Sequence, residues 1–88
     1  MSMDLYPGDV VCSQAGHDRG RLFVVMETVD EQYVRIADGD TRKIEKTKLK
    51  KRKHLKALIG FRMELEAKPQ LLNADVRKFL KQCADMNA

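Results

Sequence analysis

Turn-forming residues break the first half of the chain at intervals too short for helices. Pro7, Gly8 and Asp9 come first, then Gly16, Asp18 and Gly20, then Asp30 and Glu31, and finally Asp38, Gly39 and Asp40. Between them lie runs suited to a pleated surface. Val10, Val11 and Cys12 form a short apolar strand candidate, and positions 21–29 carry Phe23, Val24, Val25, Thr28 and Val29, whose branched or aromatic side chains favour strands. Positions 32–37 alternate, with Val34 and Ile36 on one side and Tyr33 and Arg35 on the other, as in a half-buried strand. Asp38, Gly39 and Asp40 should close a tight hairpin, with the returning strand over 41–46. Four short strands within about forty residues form a meander that must curl on itself to enclose a core, so the expected fold is mainly β, a small barrel.

The second half is less uniform. Positions 48–53 are too charged to be buried on any face and should be a loop or an exposed edge strand. Leu55, Leu58 and Ile59 have helical spacing, whereas Phe61, Met63 and Leu65 alternate with Arg62, Glu64 and Glu66 as a strand would, and the sequence leaves the choice open. Pro69 interrupts any continuous helix. Asn73 is suited to cap a new one by accepting from its first amides. Val76, Phe79, Leu80 and Cys83 then repeat at i, i+3, i+4 and i+7, with Arg77, Lys78 and Lys81 opposite, which predicts an amphipathic helix over about 73–86. The expected organisation is a barrel over 1–59 and an extension over 60–88 whose helix packs its apolar face on the barrel.

Charge divides the chain sharply. Positions 1–41 hold three basic and eight acidic residues, a net −5; positions 42–62 hold ten basic residues and Glu45 alone, a net +9; positions 63–88 balance, giving +4 for the whole. A basic block of that density is the electrostatic footprint of a polyanion partner, since Lys and Arg beside phosphates release condensed counterions. A solvated, self-repelling loop is the plainer alternative.

With 88 residues the chain has room for one domain and no deep cleft. Its longest apolar run, 22–26, is five residues, against about 20 for a bilayer span. No basic start followed by an apolar stretch opens the sequence, so a cytoplasmic location is expected. Cys12 and Cys83 lack metal-ligand spacing and read as reduced core thiols. His17 and His54 are not matched with a nucleophile, and no phosphate-cradling glycine loop is present, so neither an enzyme nor a cofactor or small-molecule substrate is expected. Acidic pairs such as Asp38 and Asp40 read as turn formers. Without Trp, and with Phe23 and Phe79 needed for packing, Tyr6 and Tyr33 are the candidate base stackers, which shifts recognition toward phosphates and the shape of structured RNA.

The order of strand, glycine loop, strand and hairpin resembles a KOW motif. It runs through GDVVCSQAGHDRGRLFVVMETVDEQYVRI, positions 8–36, and continues through ADGDTRKIEKTKLKKRKHL, positions 37–55. The likeness is to bacterial KOW-domain RNA-binding proteins, themselves similar to large-subunit ribosomal proteins of the archaeal and eukaryotic type. It covers about residues 5–56 and implies an SH3-like β-barrel that binds RNA, usually ribosomal RNA.

Carried onto this sequence, the resemblance gives Gly16 the turn and places His17, Arg19, Gly20 and Arg21 on an RNA-facing edge. The basic strip adds Arg42, Lys43, Lys46, Lys48, Lys50, Lys51, Arg52, Lys53 and Lys56 as phosphate contacts. The acidic residues of the first half are expected to keep the opposite surface off the RNA. Asp18 departs from a purely basic loop. The expected protein is a monomer that docks on structured, ribosomal RNA or the large ribosomal subunit, with no membrane partner. The alternative is a transcription-elongation-type KOW adaptor that binds polymerase or other proteins. Attachment of the lysine run to anionic membrane surfaces is a weaker third reading, since no bulky apolar face accompanies it.

Overall fold

A computed structural model describes residues 4–86. Its five strands, β1 (Asp9–Ser13), β2 (Leu22–Thr28), β3 (Tyr33–Ala37), β4 (Lys48–Lys51) and β5 (Leu55–Arg62), form one antiparallel sheet in the order β4-β3-β2-β1-β5. A 3-10 turn over Arg52–His54 joins β4 to β5, and one helix, α1 (Asn73–Met86), follows. The sheet is not closed by hydrogen bonds: β4 and β5 are its edges.

Paired valines explain how so short a chain builds two cores. Successive residues of a strand point to opposite faces. Val11, Phe23 and Val25 therefore join Leu5, Val34, Ile36 and Leu55 on one face, while Val10 and Val24 meet Val76, Leu80 and Cys83 of the helix on the other. Adjacent apolar positions mark strands covered on both sides. The helix packs the face its spacing predicted, with Phe79 half-buried at its margin.

The expected returning strand over 41–46 is instead a loop, 38–47, and pairing with β3 begins at Lys48. Asp38 is the reason. Its Oδ1 accepts from the Asp40 and Arg42 amides at 2.9 and 2.8 Å, and its Oδ2 accepts from the Thr41 hydroxyl at 2.8 Å. The Arg42 carbonyl takes the Asp38 and Gly39 amides at 2.9 and 3.1 Å. A side chain that satisfies local amides this fully competes with a ladder.

The open region after 54 is a strand, and its mixed spacing has a local cause. The β1–β5 register jumps from Val11 opposite Ala57 to Asp9 opposite Arg62, so β5 bulges between. Leu55 and Ala57 face one core before the bulge, and Leu58, Phe61, Met63 and Leu65 face the other, with Ile59 left 96% exposed. Because β5 runs through the expected boundary at 59/60 and the helix covers the sheet, the later residues are part of one packed unit.

Asn73 begins the helix but its side chain does not cap it. Asp75 accepts from the Leu72 amide at 2.9 Å, and the Leu72 carbonyl takes the Asp75 and Val76 amides. Of the two thiols, both free, Cys83 is buried and Cys12 is half-buried, on the helix side of the sheet between Leu22 and exposed Lys56.

Candidate nucleic-acid interface

The loop between β1 and β2 brings distant residues to the basic strip. Gly16 and Gly20 take positive φ values of 80° and 87°, and the loop is closed by the Gly20 amide on the Ser13 carbonyl at 2.8 Å and the Arg21 amide on the Asp18 carbonyl at 2.9 Å. Gly16 thus makes the turn assigned to it. His17 and Arg19 stand exposed on either side of Asp18, which turns inward. There its carboxylate accepts from Lys48 Nζ at 2.5 Å, while the Ala15 carbonyl accepts from Lys50 Nζ at 3.0 Å. The loop is therefore fastened to β4 by two lysines of the strip.

That fastening changes what those lysines can do. Val34 faces Lys50 across the ladder and Ile36 faces Lys48, so both lysines project on the face of the first core. Lys50 is 8% exposed, contrary to the expectation that 48–53 could not be buried on any face. Its stem lies along apolar surface while its ammonium reaches a carbonyl. Hydrogen bonding from Lys48 holds the Asp18 carboxyl below the usual range despite desolvation, and Arg42 and Lys50 push the same way.

Other cations expected at an RNA edge also face protein groups. Arg21 Nη2 lies 3.4 Å from Asp38 and 3.9 Å from Asp40. Arg52 Nε donates to the Asp30 carbonyl at 3.0 Å, and its amide donates to the Gln32 carbonyl at 2.8 Å. Arg42 is half-buried in the 38–47 loop. Asp18, Asp38 and Asp40 thus stand among the basic groups instead of on an opposite, RNA-repelling surface.

Five lysines of the strip remain outward. Lys43 and Lys46 ride on the 38–47 loop, Lys51 ends β4, Lys53 sits in the 3-10 turn and Lys56 lies on β5. All five are exposed, and none forms an ion pair among the described residues. Lys51 lies directly opposite half-buried Tyr33, and opposed residues of a ladder share a face. Tyr6 is 54% exposed.

Two contributors were not legible beforehand, Asn73 and Arg77. Asn73 binds the Ile44 amide and the Glu45 carboxylate, and Arg77 Nη1 donates to the Gly39 carbonyl at 2.6 Å. An Asn before a helix has the same sequence signature whether it caps or reaches across to a loop. Among the described residues no helix is long and apolar enough to cross a membrane, and no three His, Cys, Asp or Glu gather as a metal site. No protein-family model matches the chain, and no curated protein matches it either.

Proposed function

We propose that this protein is a non-enzymatic RNA-binding protein that docks on structured RNA, ribosomal RNA by the KOW resemblance, through lysine–phosphate contacts. One observation carries the reading: Lys43, Lys46, Lys51, Lys53 and Lys56 stay exposed and free of ion pairs within the described chain after Lys48 and Lys50 have been used to secure a loop. Clustered like charge opposes compaction unless a polyanion neutralises it.

The SH3-like barrel belongs to the same proposal. It is supported by the way the two edge strands are linked: a single three-residue turn joins β4 to β5, and the Gln14 amide binds the His54 carbonyl at 2.7 Å. Leu55 also enters the core shared by Val34 and Ile36. These features bend the sheet around that core.

Fluorescence anisotropy with a labelled RNA stem-loop, titrated across salt concentrations, tests the function. Five neutralised phosphates give a log–log slope of roughly −4. A slope near zero overturns the proposal. Comigration with RNA polymerase instead of ribosomal subunits in a sucrose gradient would favour the adaptor reading.

A further inference from the structure

The helix grips the loop that carries two of the five exposed lysines. Asn73 Oδ1 accepts from the Ile44 amide at 2.8 Å, and its Nδ2 donates to both carboxylate oxygens of Glu45 at 2.9 Å. One helical turn on, Arg77 Nη1 binds the Gly39 carbonyl. Residues four apart on a helix share a face, so the two side chains hold the loop at both ends of a short span. Lys43 lies within that span and Lys46 just beyond it, both exposed.

The asparagine side chain makes its hydrogen bonds away from its own helix. Asp75 serves the Leu72 amide and is itself held by Lys68 Nζ at 2.7 Å. The Asn73 side chain is therefore committed to the loop. Glu45 is the one carboxylate within 42–62, and an unrestrained carboxylate beside Lys43 and Lys46 would repel a phosphate strand. Hydrogen bonding from Asn73 holds the Glu45 carboxyl below its usual range, with its own backbone amide and then Lys43 adding to the effect. A loop ordered in advance also spares the binding step the cost of immobilising long side chains.

We propose that Asn73 is a positioning residue of the polyanion interface: it fixes the 38–47 loop so that Lys43 and Lys46 are presented together, and it ties Glu45 to the helix. The inference rests on the RNA-binding reading above.

The test compares wild type and Asn73→Ala in two backgrounds, the native one and a Lys43→Gln, Glu45→Gln, Lys46→Gln triple variant, using the same labelled RNA stem-loop. In the native background Asn73→Ala should weaken binding roughly threefold to tenfold, the scale of reordering one or two long side chains, and the salt slope should fall toward about −3. In the triple variant it should change nothing. An equal loss in both backgrounds, or no loss in the native one, overturns the proposal. Amide exchange of Ile44 and titration of Glu45, both followed by NMR, need no RNA. Faster Ile44 exchange and a Glu45 pKa returning toward its ordinary value support the positioning role, and unchanged values overturn it. If wild type itself fails to bind RNA, the functional reading falls, and these two measurements still decide what Asn73 holds. Should Asn73→Ala fail to fold, Arg77→Met removes the other grip at an exposed side chain and must give the same background-dependent loss.

Discussion

Lys50 and Ala15, 35 positions apart, are joined by a hydrogen bond of 3.0 Å from ammonium to carbonyl, which fixes the β1–β2 loop against the edge of the sheet. A residue that reads as part of a binding strip thereby becomes part of the fold. Adjacent lysines are separated in role by the direction in which their strand points them.

Lys50→Ala should therefore cost stability, about 1–3 kcal/mol, the range for removing a charged hydrogen-bond partner at a buried position. Urea unfolding measures it. A stability equal to wild type, combined with weakened RNA binding, would return Lys50 to the interface.

Lys51, Lys53 and Lys56 should behave oppositely. Replacing all three with Ala leaves each exposed site within about 0.5 kcal/mol of its original stability, while removing roughly 2.4 from the magnitude of the RNA salt slope. The same anisotropy series, with a parallel unfolding curve, separates the two effects. A block substitution that also takes in Lys50 and Arg52 would confuse them, since both bind backbone carbonyls.

The pairing of Asp18 with Lys48 has a pH signature. A carboxyl held below its ordinary value binds fewer protons when folded than when unfolded, so its stabilisation is present above the usual aspartate value of 3.8 and is lost as pH falls below it. The difference in thermal midpoint between wild type and Asp18→Asn should be steady near neutral pH and shrink as pH drops below about 4. A gap that stays constant through that range would show that the carboxylate charge contributes nothing.

Gly39 and Gly20 separate two costs of adding a methyl group. At Gly20, with φ of 87° and open space around it, Ala meets backbone strain alone, about 1 kcal/mol. At Gly39, with φ of 78°, the methyl also strikes the Asn73 carbonyl oxygen, and the loss should reach about 2 kcal/mol or more. Equal losses in denaturant unfolding would mean that the loop can lift from the helix without penalty.

Burial raises the Cys83 thiol above its ordinary pKa, so little thiolate is available there. Iodoacetamide should label half-buried Cys12 in the native protein and reach Cys83 only on unfolding. Equal native rates, read by mass spectrometry of digested protein, would show that the helix opens readily.

The elements read correctly from the sequence are those in which local chemistry and tertiary packing agree. The strands around Val10, Val24 and Val34 and the helix bearing Val76, Leu80 and Cys83 show their burial in their spacing. The errors arise where a polar side chain chooses a distant partner. Asp38 looked like half of a tight hairpin but organises a longer loop, and Asn73 looked like a cap but binds Ile44 and Glu45. The bulge in β5 blended two strand phases into one apparently helical spacing, and one glycine, Gly60, marks it. Within the candidate interface, the identity of the basic block is legible at once. Which of its ammonium groups face inward depends on the register of β4 with β3, and register across a loop is not written in either strand.

The position of β4 gives the lysine-rich segment a second consequence. An edge strand exposes a row of unsatisfied amides and carbonyls on which another copy can grow, and charged residues along it make that approach repulsive. Leu49, 46% exposed on this edge, would be a natural point of self-association were it not for exposed Lys51, two residues on and on the same face. Neutralising the edge should therefore reduce solubility as well as affinity, and a variant that precipitates would have lost its protection against its own copies.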